Sequence, residues 1–307
     1  MIEFRPLTLA DRAAYERCLA ASQTAAERGC EYSFANVYLW GSQQVAFLHG
    51  QVILLSQFGD RLVYPYPLGA GDKRAALDAI LADAAARGIP FRLTGLVGAE
   101  RKTLEALYPG RFRFEVDPGT HDYVYAIDDL AELRGKKYHG KRNHCHRFAA
   151  VFPDHTVEEL NESNLHAARC MADRWYEDRI AADPEGDYQW ERAALERALN
   201  EFQELNMEGL ILRSGEEVLA ITLGSRLSGD TFDVQFEKAR ADADGAYAMI
   251  NRAFARHLLA KYPEIKFLDR EEDMGLEGLR RAKQSYHPHH MIEKCRAFPV
   301  EVGDDDD

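Results

Sequence analysis

The sequence predicts an α/β chain with mixed sheets, built as two copies of one unit. Three observations support this. The chain has 307 residues, 46% of them apolar, enough to bury one large core or two ordinary ones. Short apolar runs bounded by turn residues alternate with segments whose apolar residues recur every three or four positions. The order of these segments occurs twice.

The second half is the plainer copy. Leu210-Ile211-Leu212 reads as a strand, Ser214-Gly215-Glu216-Glu217 as a turn and Val218 to Leu223 as the returning strand. Ser228-Gly229-Asp230 then turns into Thr231-Phe232-Asp233-Val234-Gln235-Phe236, which alternates with period two and completes a meander. Beyond Gly245, the residues Met249, Ile250, Ala253, Phe254 and Leu258 share one face of a helix. Ile265 to Leu268 reads as a short buried strand. Leu276, Leu279, Ala282 and Tyr286 recur at helical spacing until Pro288 stops the helix. Ahead of the meander stand a strand at Thr156 to Leu160 and a helix carrying Leu165, Ala168, Met171 and Trp175.

The first half repeats this order. Ile2 to Leu7 is followed by a helix from Ala13 to Leu19. Three strands come next, at Val45 to His49, Val52 to Gln57 and Leu62 to Tyr66, with turns at Gly50 and Gly59-Asp60. A helix then places Ala76, Leu77, Ile80, Leu81 and Ala84 inward, Phe91 to Thr94 forms a strand, and a helix carries Leu104 and Leu107. Matching positions lie 165 residues apart at Gly50 and Gly215, 170 at Asp60 and Asp230, and 176 at Phe91 and Phe267. Loop insertions produce such a drift. The expected domains are residues 1–125 and 126–303, followed by a solvated acidic tail at 304–307.

Bulk properties narrow the function. No apolar stretch approaches the roughly 20 residues of a membrane span, and the start MIEFRPLTLADR has no signal-peptide pattern, so a soluble, cytoplasmic protein is expected. Five scattered cysteines without a CxxC pair point to reduced thiols. A net charge of −13 opposes general coating of DNA. One segment departs from this charge. From Leu133 to Pro153 there is no acid, while Arg134, Lys136, Lys137, Lys141, Arg142 and Arg147 supply six positive charges. No GxSxG elbow and no P-loop is present. The pairs His144/His146 and His287/His289/His290 lack the i, i+4 spacing of a helical zinc site, so no metal is expected.

The order of elements is that of the GNAT N-acetyltransferase fold. That resemblance implies a sheet splayed between its fourth and fifth strands, with an acyl thioester in the gap. At the following helix start, Gly245, Ala246 and Tyr247 are the candidates for holding a donor's pyrophosphate, since orphan N–H groups there favour anions. Asp242 and Asp244 stand where phosphates would be repelled. The candidate bases are Glu237, ending the fourth strand, and Asp269, Glu271 and Asp273, which follow the fifth. The bland reading of the acidic run is a helix cap. The basic segment offers Lys136, Lys137, Lys141, Arg142 and Asn143 to a phosphate or carboxylate, and for it the bland reading is a solvated face.

Several blocks together resemble a bacterial family related to the C-terminal domain of phosphatidylglycerol lysyltransferases. They are Ser33-Phe34-Ala35-Asn36-Val37-Tyr38-Leu39-Trp40, the run from Gly135 to His144, Glu237-Lys238-Ala239 with Asn251, and Asp269 to Gly275 continuing from Gly278 to Pro288. The resemblance covers nearly the whole chain. It implies tandem GNAT-like domains and kinship with Fem-type enzymes that move an aminoacyl group from charged tRNA. It adds Asn251, Arg270, Lys283, Ser285 and Tyr286 to the substrate-binding candidates. The expected function is therefore transfer of an acyl or aminoacyl group, from acyl-CoA or aminoacyl-tRNA, to an amine acceptor. The alternative is a ligand-binding protein that keeps the tandem fold without the chemistry.

Overall fold

A computed structural model describes residues 1–22, 28–41, 43–58 and 61–300. The expected turn at Gly59-Asp60 and the acidic tail lie outside the described residues. Two seven-stranded mixed sheets organise the chain. The first contains β1 (Arg5–Pro6), β2 (Gln43–Leu48), β3 (Gln51–Phe58), β4 (Arg61–Pro65), β5 (Leu93–Leu96) and β6 (Phe112–Val116). The second contains β7 (Asp122–Ala126), β8 (His155–Glu159), β9 (Glu208–Ser214), β10 (Glu217–Arg226), β11 (Thr231–Ala239), β12 (Phe267–Asp269) and β13 (His290–Ile292). The last strand, β14 (Cys295–Pro299), returns to the first sheet.

The order β1-β2-β3-β4-β5-β14-β6 matches β8-β9-β10-β11-β12-β7-β13 place for place. The parallel neighbours, β4–β5 and β11–β12, also fall at matching places. The sixth place of each sheet is filled by a strand from the other half of the sequence. β7 pairs with β12, Leu268 opposite Tyr125, while β14 pairs with β5 and β6. The compact units are accordingly residues 1–121 with the chain from Ile292 onward, and residues 122–291. The sequence division at 125/126 passes through β7 and leaves 292–303 in the second unit. Periodicity does not reveal this exchange, because each exchanged strand is a five-residue segment suited to either sheet.

In the first unit, α1 (Arg12–Ala21), α2 (Phe34–Leu39), α3 (Lys73–Arg87) and α4 (Gly98–Leu107) accompany the sheet. Helix α3 starts where the Asp72 side chain accepts the Ala75 N–H at 2.9 Å, and it ends at Gly88 in the left-handed conformation. In the second unit the helices are α5 (Ile127–Glu132), α6 (His139–Val151), α7 (Leu165–Ala182), α8 (Gln189–Asn200), α9 (Ala246–Lys261) and α10 (Glu277–Gln284). The basic segment, which sequence reading leaves without an element, forms α6, with Cys145 and Phe148 as its buried residues. Helix α9 lays Ile250, Phe254 and Leu258 against Leu210, Leu212, Phe232 and Leu268, while α7 packs on β10 and β11. Among the described residues no helix is long and apolar enough to cross a membrane.

A bulge in β11 sets the faces of this sheet. Leu223 pairs with Phe236 but Ser225 with Asp233, so β11 uses three residues where β10 uses two. The extra residue reverses the alternation beyond it. Glu237 consequently shares the α9 face with Phe232 and Val234, and Lys238 takes the other. Simple period-two reading of β11 places Asp233 and Gln235 on a solvent face, yet both are buried.

Candidate functional site

Strands β11 and β12 pair from Thr231/Phe267 to Asp233/Asp269, after which β12 ends and β11 runs on to Ala239. The sheet therefore splays beside residues 234–239. Arg270, the first residue past β12, reaches back across the splay. Its Nη2 donates to Glu237 Oε1 at 2.9 Å, and Asn251 Nδ2, from α9, donates to Glu237 Oε2 at 3.2 Å. The guanidinium carbon lies 4.8 Å from the ring centre of Tyr286 and 5.7 Å from that of Tyr125. Lys141, from α6, holds its Nζ 3.6 Å from the Tyr286 ring centre. Burial, and after it the nearby Arg270 charge, brings the Lys141 ammonium down to about 8, with Glu237 pulling the other way.

Three polar atoms in this cluster have no hydrogen-bond partner among the described residues: Thr222 Oγ1, Asn251 Oδ1 and Arg270 Nη1. Thr222 sits opposite Glu237 on β10 and is fully buried, and Asn251 is 2% exposed. Buried polar groups are otherwise almost always paired, because leaving one unmade costs on the order of 1–3 kcal/mol. Each thus lacks the partner that a buried polar atom ordinarily has.

Of the residues singled out from sequence, the structure brings together Glu237, Asn251, Arg270, Lys141 and Tyr286. The others lie elsewhere. Asp269 neighbours Asp233 on the face opposite Glu237, and its Oδ1 accepts the Glu271 N–H at 2.8 Å. The bulge in β11 is what separates the two carboxylates, which strict alternation along β11 would put on one side. Glu271 adopts a left-handed backbone, φ 57°, and its carbonyl accepts Lys283 Nζ at 3.0 Å. Lys283 also donates to the Arg270 carbonyl, so its ammonium holds the chain on which Arg270 rides. Asp273 accepts Arg280 Nε at 2.8 Å, the Tyr123 hydroxyl at 2.7 Å and the Gly275 N–H at 2.8 Å. The Arg280 hydrogen bond holds that carboxyl at about 2, against the pull of burial, so Asp273 closes the turn before α10. Arg142 donates to the Leu133 and Gly135 carbonyls, at the end of α5. Lys136, Lys137 and Asn143 are exposed, with Lys137 paired to Asp129 at 3.0 Å and Asn143 bonded to His139. Ser285 is exposed and donates to the Ala282 carbonyl.

Gly245, Ala246 and Tyr247 open α9. Gly245 has φ 89°, and a Cβ there would overlap the His144 carbonyl oxygen of α6, so helix packing alone demands glycine. The Ala246 N–H donates to the Ala243 carbonyl at 3.0 Å. Asp242 pairs with Arg240 at 2.6 Å and Asp244 with Arg147 at 3.2 Å, which offsets the acids beside this turn.

Thr222 and Tyr125 escape sequence reading. A lone hydroxyl inside the apolar run Leu219 to Leu223 is the signal that marks Thr222. On the opposite face, Asp233 is fully buried, and its carboxyl is driven well above the usual range by burial, then by Glu271, Asp269 and Asp122. Lys238 donates to Glu191 at 2.6 Å and lies 4.0 Å from the Trp175 ring centre. Ligand atoms of Glu159, Glu208 and His257 come within 4.8 Å of one another. Lys261, 2.9 Å from Glu208 and 3.8 Å from Glu159, already balances those carboxylates.

The fold has solved counterparts. A conserved protein of unknown function from Bacteroides thetaiotaomicron is 35% identical, with a TM-score of 0.89 over 98% of this chain and 100% of that one. The structure of L-PGS from Bacillus licheniformis is 17% identical, with a TM-score of 0.65 over 94% and 91% of the two chains. A tandem GNAT protein from the clavulanic acid biosynthesis pathway is 11% identical, with a TM-score of 0.53 over 97% and 98%. No curated protein sequence matches the chain. The architecture is thus the tandem GNAT-like α/β fold. With residues 22–298 matched by the family model for phosphatidylglycerol lysyltransferase, C-terminal, the chain belongs to that family.

Proposed function

We propose that the second unit transfers an acyl or aminoacyl group to an amine, with the splay between β11 and β12 as the reaction site. The supporting observation is the Glu237–Arg270 pair spanning that splay, surrounded by buried polar atoms without partners. Each Glu237 oxygen accepts one hydrogen bond and keeps a lone pair. In this reading Glu237 takes a proton from the acceptor amine as its nitrogen attacks the acyl carbon. A C–N bond forms and the bond to the donor's sulfur or ribose oxygen breaks. The proton leaves with that thiol or hydroxyl. Lys141 and Arg270 place positive charge beside the reacting groups. Acyl-CoA and aminoacyl-tRNA are the donor classes, and the exposed Lys136 and Lys137 would meet the anionic part of either. All five cysteines are free, in keeping with a reducing, cytoplasmic setting.

One observation favours a second reading. The crowded glycine and the acids at the start of α9 suit a pyrophosphate poorly, as in a binding protein without turnover. Thermal shift with coenzyme A, acyl-CoA and aminoacyl-tRNA separates the two, since a ligand of the folded state raises its stability. Glu237→Gln keeps the size of the side chain and an amide oxygen that can still accept from Arg270, while removing the proton acceptor. Its turnover should fall by about 10²-fold or more at an unchanged melting temperature. Wild-type turnover in that variant would remove Glu237 from the mechanism.

A further inference from the structure

The charges around the splay do not cancel. Lys141 and Arg270 stand beside one carboxylate, Glu237, while Asp269 lies on the far face and Asp273 is held by Arg280 and Tyr123. A buried excess of positive charge calls for an anion. Arg270 Nη1, a buried donor without a partner, offers the anion its first hydrogen bond. The acceptor atoms ask for the opposite. Asn251 turns its amide nitrogen to Glu237, which leaves Oδ1 unpartnered at 2% exposure, and Thr222 Oγ1 is unpartnered and fully buried opposite Glu237. Together with the remaining lone pairs of Glu237 they suit a group rich in N–H. Both kinds of atom belong to a single hydrogen-bonded group, since Arg270 and Asn251 each bond the same carboxylate, at 2.9 and 3.2 Å.

We propose that this site selects an acceptor whose amine stands beside a carboxylate, that is, a free α-amino acid. The inference rests on the transferase reading above and gives it a substrate class. An α-amino acid holds its nitrogen and carboxyl carbon about 2.5 Å apart, close enough for one molecule to meet both sets of atoms. The ammonium goes to Asn251 Oδ1, Thr222 Oγ1 and Glu237, and the carboxylate to Arg270 Nη1 and Lys141 Nζ.

The experiment is calorimetric titration of the full chain with the twenty free L-amino acids, then with the C-terminal amide and the N-acetyl derivative of the tightest binder. The free amino acid should bind at least about tenfold more tightly than either derivative, since each lacks one charge. Lys141→Met, which keeps an unbranched side chain over Tyr286, should weaken the amino acid about tenfold and leave its amide unchanged. An amide or N-acetyl derivative that binds as well as the parent overturns the inference, as does the lack of binding by any free amino acid to a folded chain. The transferase reading fails separately. If amino acids bind and neither donor class yields an acylated product, the zwitterion site stands and the chemistry falls. If simple amines turn over as well as amino acids, only the acceptor class is lost.

Discussion

The two units share a topology and differ at the place where their parallel strands part. In the first unit β4 stays bonded to β5 to its end and beyond, through Tyr64 N to the Arg92 carbonyl at 3.0 Å and Tyr66 N to the Thr94 carbonyl at 3.1 Å. The hydroxyl of Tyr32 is set into that junction. It accepts the Tyr66 N–H at 3.1 Å and donates to the Thr94 carbonyl at 3.1 Å. Gly95, φ 71°, gives it room, since a Cβ there would come within 2.7 Å of the hydroxyl. Nearby, Arg28 and Glu100 pair at 3.0 Å with almost no exposure. The first unit thus fills its gap with its own side chains. The second leaves a gap crossed by one ion pair, with an unmatched cation and unpartnered atoms around it. The repeat thus has two equivalent places, and among the described residues they differ in this way.

That contrast can be broken by making the same kind of change on each side. Arg28→Met should cost the most, about 3–5 kcal/mol in urea unfolding, because it removes the buried guanidinium that offsets the Glu100 charge; a loss below about 1 kcal/mol would mean that the enclosed pair does not hold the first unit. Tyr32→Phe leaves a carbonyl buried without its hydroxyl donor and should cost about 2 kcal/mol, with faster hydrogen exchange at the Tyr66 amide. Unchanged exchange would show that the hydroxyl does not fasten the junction. Glu237→Gln should change unfolding free energy by less than about 1 kcal/mol, since the amide oxygen still accepts from Arg270 and the site already tolerates unmade bonds. A cost equal to that of Arg28→Met would make the second gap structural as well.

The smallest effect is a pH dependence. Asp11 in the first unit and Asp273 in the second are each held at about 2, chiefly by hydrogen bonds from Arg5 and Arg280. A depressed carboxyl adds stability that is present above its unfolded value, about 4, and is lost as pH falls through about 2. Asp273→Asn should therefore flatten the acid limb of stability between about pH 4 and 2, and Asp11→Asn should do the same; an unaltered limb in both would assign acid unfolding to other groups.

The repeat was legible because turns and periodicity are local. Gly50 and Gly215 each turn a hairpin, and the helix and strand after them follow from spacing alone. Glu237 and Arg270 were legible as residue types at strand ends, but their union was not, because a bulge of one residue decides which face Glu237 takes. Asp233 looked like a solvent position, since an alternating pattern cannot show that α7 covers the second face. Helix α6 was hidden by its glycine and its charges, with Cys145 and Phe148 too few to print a stripe. Tyr32 gave no sign of its role, which depends on strands more than thirty residues away.

The crossed placement of β7 and β14 bears on how the protein is made. The first sheet lacks its sixth strand until residues 295–299 have been synthesised, so the first unit cannot be completed before the whole of the second has been made. A release after residue 291 would leave β5 and β6 without the strand that joins them, two raw edges ready to pair with neighbouring chains. Unlike a simple tandem array, in which one repeat can fold before the next begins, the first unit here becomes whole only after the second has been synthesised.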